Sequence, residues 1–280
     1  MEPVNVRSLI KVGFHFGHRT SRWNPKMAPY IFKRRNLIHI IDLRATLRGL
    51  LTARKVAQAV AARRQYVLFV GTKKQAAEVI QREAQRCGMP YVAERWPGGL
   101  LTNFVTIRKR LDRLAELEEL EETGQIDLYG KKMVSSLRRE KRKILRNLGG
   151  VRKMDRLPNL LVLIDPAREQ IAVKEAYKLG IPVVALTDTD GDPTCVDVVV
   201  PGNDDSYGAI EIFVKAVSGA ILDAVGGPAT ETPSEPKAEA PAEPAEEATP
   251  AETEQPEAEA PAEPEAAEPQ AADAEAAAEG

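Results

Sequence analysis

Short apolar, β-branched runs alternate along this chain with stretches whose apolar residues recur every three or four positions. Tyr66–Val70 (YVLFV) is almost continuously apolar, the mark of a strand covered on both faces. Leu160–Ile164, Val183–Leu186 and Val198–Val200 read the same way, and Tyr91-Val92 is a shorter strand. Ile38–Leu43 leads into a helix with Leu47, Leu50, Leu51, Val56 and Val60 on its apolar side. Lys74–Arg86 reads as a helix before Gly88, Glu169–Leu179 as one that stops at Gly180, and a last helix spans about Tyr207–Val225. Strand and helix in this alternation predict right-handed crossovers and an α/β fold, a parallel sheet flanked by helices.

The alternation stops between about Asn103 and Asp155. Ile107, Leu111, Leu114, Leu117 and Leu120 recur at helical spacing, then Val134, Leu137, Ile144, Leu145 and Leu148 do so again. Gly124 separates the two sets and Gly149-Gly150 closes the second. The pattern predicts an antiparallel coiled-coil hairpin inserted into the sheet domain. The division expected is a core of residues 1–102 and 156–227, a hairpin of 103–155, and a tail of 228–280.

Charge sharpens that division. The tail holds 16 acids, one base (Lys237) and ten of the chain's 20 prolines, with no aromatic residue. Such a segment buries too little apolar area to offset its chain entropy, so it reads as disordered. Residues 1–227 hold 38 bases and 25 acids, a net of +13 that the overall net charge of −2 conceals. A field of that size favours polyanions. The body is long enough for one α/β core with an accessory element. No secretory signal and no 18-residue apolar run appear, and Cys87 and Cys195 lack CxxC spacing, as free thiols in the cytoplasm would.

The cations cluster. Ten Lys and Arg against two acids fill the first 48 residues, interleaved with Phe14, Phe16, Trp23, Tyr30 and Phe32. Cations beside flat rings suit phosphates and unpaired bases. On this arm the candidate RNA contacts are Arg19, Arg22, Trp23, Lys26, Lys33, Arg34 and Arg35. Trp23 and Trp96 have the alternative of packing on the sheet. In the hairpin segment, 105–156, 15 bases face nine acids, and Arg108, Lys109, Arg110, Arg138, Arg139, Lys141, Arg142 and Lys143 form nearly unbroken basic runs.

Gly71-Thr72-Lys73-Lys74 follows a strand and opens a helix, where backbone amides can hold phosphate, but it matches neither GxxxxGK[ST] nor GxGxxG. Its Lys73 and Lys74, with Arg95, join the RNA candidates. Arg95–Phe104 is a Gly-rich loop in which Thr102 or Asn103 can cap the following helix. His15 and His18 lie three apart, and Asp188 follows one strand while Asn203-Asp204-Asp205 follows another. In a parallel sheet both acidic segments fall at the carboxyl edge, where sites form. No cofactor is required, yet His18, Asp188, Asp204 and Asp205 together suit a zinc or magnesium ion. The alternative is that these acids cap helices and pair with the basic arm, with Arg19 or Arg22 as counter-ions. No nucleophile elbow, HExxH or Cys-His pair appears.

HFGHRTSRWNPKM, IHIIDL, FVGTKKQA, RWPGGLLTNF, LPNLLVLIDPAREQIAVKEA, GIPVVAL, DTDGDP and PGNDD follow one another in order. In this the chain resembles the bacterial-type small-subunit ribosomal protein S-two family, with Pro97 where an aliphatic residue is usual. The resemblance implies a Rossmann-like sheet with an inserted coiled coil, bound to small-subunit ribosomal RNA between head and body. It implies a non-enzyme that helps dock the mRNA-binding protein S-one, in the cytoplasm, with no membrane partner and no small-molecule substrate. The rival reading is an α/β enzyme for a phosphorylated metabolite, with Lys73, Lys74, Asp165 and Asp188 around one pocket.

Overall fold

The computed structural model describes residues 5–226. The expected disordered tail lies outside them. Strands β4 (Val67–Val70), β5 (Tyr91–Val92), β6 (Leu160–Ile164), β7 (Val183–Thr187) and β8 (Val198–Pro201) form one parallel sheet in the order β5-β4-β6-β7-β8. Every residue of β4, β6 and β7 is buried, because helices cover both faces. On one face lie α2 (Leu43–Ala62), α3 (Lys74–Cys87) and α7 (Tyr207–Gly226), whose Leu50, Val79, Phe213 and Val217 pack on Phe69, Val162 and Leu186. On the other lie α6 (Gln170–Leu179) and the root of the helical insertion, where Val173, Ile107, Leu111 and Leu148 meet Leu68, Leu161 and Ala185. Gly88 and Gly180 end α3 and α6 in the left-handed conformation, which glycine adopts without a Cβ penalty.

The insertion comprises α4 (Phe104–Glu122) and α5 (Lys131–Leu148). The start of α4 and the end of α5 meet at the root, where Ile107 and Leu111 share a core with Leu148, while Glu121 near the far end of α4 pairs with Lys141 at 2.6 Å, so the helices are antiparallel. Ile107, Leu111, Leu114 and Leu117 are buried along the seam, and Ile126 closes its far end. On α5 the seam differs from the sequence expectation. Leu145 is 45% exposed, while Lys141 is half-buried and reaches across to Glu121. A lysine stem can lie along an apolar seam while its head pairs at the margin.

The N-terminal segment departs further. Ile38–Leu43, read as part of the alternating series, contributes instead to a separate antiparallel sheet, β1-β3-β2, of β1 (Phe16–Arg19), β2 (Ile31–Arg35) and β3 (Ile38–Ile41). Beside it stands a short helix, α1 (Val6–Lys11). This sheet seats on the carboxyl edge of the large one. His18 N donates to Thr189 Oγ1 (2.9 Å), Asn24 N to Thr189 O (2.8 Å) and Asn203 N to Phe14 O (3.0 Å). Two glycines permit the approach: a Cβ on Gly17 would lie 2.6 Å from Thr189, and one on Gly202 would lie 1.9 Å from the buried Phe14 ring.

Candidate nucleic-acid interface and a buried carboxylate cluster

Turns after β4, β6, β7 and β8 deliver Lys73, Asp165, Asp188 and Asp204 to one place at the carboxyl edge, and β1 brings His18 to meet them. His18 Nδ1 lies 2.8 Å from Asp188 Oδ2, and Nε2 lies 3.6 Å from Asp205 and 3.9 Å from Asp190. Lys73 Nζ stands 2.8 Å from Asp204, 3.1 Å from Asp165 and 3.1 Å from Asp205. Asp165 adopts φ +60, a left-handed turn that an aspartate tolerates better than most residues. Five carboxylates thus face one ammonium and one imidazole.

The electrostatics follow from that imbalance. The hydrogen bond to Asp188 raises the His18 pKa to about 9, against the opposing effect of burial, so the ring is charged at neutral pH. Burial, with the charges of Asp165 and Asp188, pushes Asp204 up to about 7, and the Lys73 ammonium only partly offsets them. Burial works against the Lys73 charge, but Asp204, Asp165 and Asp205 hold its pKa above the ordinary lysine value. Although Lys73 is within ion-pair distance of Asp204, neither Asp204 oxygen has a directed hydrogen bond. His18, Asp188 and Asp204 each present a ligand atom within 4.8 Å of the others. One imidazole with carboxylates fits a small divalent cation. Asp205 sits at the rim, 56% exposed.

Several sequence expectations change here. Lys73, expected to reach RNA phosphate, is 12% exposed and occupied by carboxylates. It supplies the counter-charge that was sought from Arg19 or Arg22. His15 does not join His18; its ring packs at a tilt against Phe16, with centroids 4.1 Å apart. The grouping behind the enzyme reading is met in part, since Lys73 and Asp165 touch, while Lys74 stays exposed outside it.

A further buried carboxylate, which the sequence pattern did not reveal, organises the loop before α4. Glu175 on α6 is 7% exposed and accepts from Trp96 Nε1 (3.1 Å), Gly99 N (2.8 Å), Leu101 N (3.0 Å), Thr102 N (3.2 Å) and Thr102 Oγ1 (3.2 Å). Burial alone would raise its pKa, but these donors bring it below the ordinary glutamate value. Asn103 is therefore the residue before α4 without a side-chain capping bond, and the Thr102 hydroxyl is turned to Glu175 instead. Trp96 is a buried packing residue, whereas Trp23 is 40% exposed and leans on the His39 ring at 5.2 Å.

The remaining cations divide by availability. Arg19, Arg22, Lys33, Arg34, Arg35, Lys74, Arg95, Lys109, Arg110, Arg139, Arg142 and Lys143 are exposed. Lys26 pairs with Asp192 at 2.6 Å, and Arg138 and Lys141 both face Glu121. Arg108 is half-buried and donates to Met154 O at 3.1 Å, tying α4 to the sheet domain. Lys33, Arg34 and Arg35 rise on a two-residue hairpin whose turn, Asn36-Leu37, has positive φ at both positions, 48 and 60. Phe32 and Leu37 stand beside them, 67% and 70% exposed. A solvent-facing array of guanidinium and ammonium groups with exposed apolar side chains can neutralise phosphates and cover bases.

A family model described as Ribosomal protein S2 matches residues 9–224. A small ribosomal subunit protein uS2 of Rhodopirellula baltica is 55% identical over 217 residues, 78% of this chain and 84% of that protein. Another small ribosomal subunit protein uS2, of Koribacter versatilis, is 50% identical over 223 residues, 80% of this chain and 74% of that protein. Among the described residues, no helix is long and apolar enough to cross a membrane.

Proposed function

Because the chain belongs to the ribosomal protein S2 family of structural, non-enzymatic small-subunit proteins, we propose that it binds small-subunit ribosomal RNA through its arm and hairpin. In this reading it acts in translation in the cytoplasm. The observation that carries the proposal is the outward basic surface: Arg34 and Arg35 at the tip of the arm, and Arg139, Arg142 and Lys143 on α5, are all exposed. The test is equilibrium binding of the full chain to small-subunit ribosomal RNA over a range of salt. Replacing Arg139, Arg142 and Lys143 together by Ala should lower the slope of log K against log salt by roughly 0.7–0.9 per lost contact. An unchanged slope in a folded variant would move the RNA surface off the hairpin.

The finer reading adds protein S-one and a metal. His18, giving up its ring proton on binding, would hold a zinc or magnesium ion with Asp188 and Asp204, Asp205 lying at its rim, and the ion would clamp the arm sheet to the carboxyl edge. The excess of carboxylates over cations and the undirected Asp204 oxygens favour it. Ile10 and Phe16, both exposed, are the apolar side chains that protein S-one would cover. Elemental analysis of protein prepared without chelator should find metal in the parent and none in an Asp188→Asn, Asp204→Asn variant, which should also dock protein S-one less well. Metal-free parent that docks protein S-one normally would leave Lys73 and His18 as the sole counter-ions.

A further inference from the structure

The outer face of α6 was assigned no role by the sequence pattern, and it has an unusual make-up. Its Ala172, Val173 and Ala176 face the sheet, leaving Ile171, Lys174, Tyr177 and Lys178 outward at helical spacing. Tyr177 is 85% exposed, the most exposed aromatic side chain among the described residues, and Ile171 is 57% exposed. The acids of this segment both point inward. Glu175 is taken up by the loop before α4, and Glu169, 4% exposed, bonds to the amide and hydroxyl of Thr72. The outer face therefore carries an exposed ring one turn from Lys174, which in turn neighbours Lys178, with no carboxylate of its own helix to neutralise the two lysines.

Neither stability nor helix propensity calls for that arrangement. Tyr is a weaker helix former than Ala, Glu or Lys, and an exposed ring contributes little burial. A protein-docking face would be the other use, but lysine is depleted in protein interfaces and here two lysines share the face with the aromatic. A ring beside cations is instead the arrangement that holds a single strand, by stacking and phosphate pairing together. The face is also on the same side of the sheet as the root of the basic hairpin, since Val173 shares a core with Ile107, Leu111 and Leu148.

We propose that the outer face of α6 is a further RNA-contact surface, where Tyr177 stacks on an unpaired base and Lys174 and Lys178 hold the flanking phosphates. The proposal rests on the RNA-binding reading and names a surface outside the arm and hairpin. It is tested by binding of the full chain to a short labelled oligouridylate and to a small-subunit ribosomal RNA fragment. Tyr177→Ala should melt like the parent, given its exposure, yet bind the oligouridylate roughly 5- to 100-fold more weakly. Tyr177→Phe should bind like the parent. Lys174→Ala with Lys178→Ala should reduce the salt slope by about 0.7 per contact. Photo-crosslinking in purified small subunits should place a nucleotide on the peptide containing Tyr177. Equal binding by Tyr177→Ala and parent, while the Arg139, Arg142, Lys143 variant weakens, overturns this inference and leaves the RNA-binding reading standing. A parent that binds no RNA overturns both. Normal RNA binding by Tyr177→Ala with poor entry into subunits makes the face a protein contact and likewise overturns it.

Discussion

Glu175 shows how one buried charge can set the position of a whole element. Its two oxygens gather the indole and backbone donors of the Trp96–Thr102 segment, so the direction in which α4 leaves the sheet depends on a side chain in α6. Glu175→Gln keeps the shape but loses the charge and turns an amide N–H toward a backbone N–H. The expected cost is about 2–4 kcal/mol at neutral pH, read as a lower urea midpoint. The pH dependence has a definite sign. Because the folded pKa is depressed, the carboxylate's contribution is complete above the ordinary glutamate pKa and disappears as pH falls through the folded value. The gap between parent and variant should therefore narrow on acidification, and a gap independent of pH would count against the charge. Sequence could not have revealed this. A glutamate in VKEAYKL reads as a solvated helix position, and only the packing of α6 against the loop turns it inward. Lys73 failed in the same way: a lysine at the mouth of a helix reads as exposed until the strand ends carrying Asp165 and Asp204 are brought beside it.

At the scale of elements, the parallel strands were legible because burial on both faces leaves VLFV and LLVLI wholly apolar and VVALT apolar up to its last residue, Thr187. The small antiparallel sheet was not. IFKRR has no apolar alternation, and its turn is Asn36-Leu37 where a tight hairpin prefers Asn-Gly. Leucine at φ 60 is strained by about 1–2 kcal/mol. That strain holds an apolar side chain, 70% exposed, at the tip beside Phe32 and the basic residues. Leu37→Gly should relieve it and raise the thermal midpoint, with a gain of about 0.5–1 kcal/mol after the added chain entropy of glycine. It should at the same time weaken entry into small subunits, since the tip loses a contact side chain. A variant that melts lower than the parent would mean that Leu37 contributes to the fold, and the functional reading of the strain would fall.

For the whole molecule, charge is the organising variable. The net of +13 over residues 1–227 was plain from the sequence, but its distribution over the surface was not. Lys26, Lys73, Arg138 and Lys141, all read as RNA contacts, are paired with acids of the same body, so the surface available to phosphate is narrower than the count implies. What remains exposed includes the arm, the hairpin, and Arg44, Arg48 and Lys55 on α2. The 16 acids of residues 228–280 then have a defined set of competitors. Carboxylates tethered to the same chain and phosphates from RNA seek the same exposed cations, and tethering raises the local concentration of the former. Deleting residues 228–280 should leave thermal unfolding of the body unchanged and tighten its binding to nonspecific RNA at low salt. Salt screens both interactions, so the difference should fade as ionic strength rises toward the physiological range. Binding curves for the full and shortened chains, measured with the same RNA at low and physiological salt, check both statements. Coincident curves at low salt would show that the acidic segment does not compete for the basic surface, and would leave it no part in restraining nonspecific RNA binding by the body.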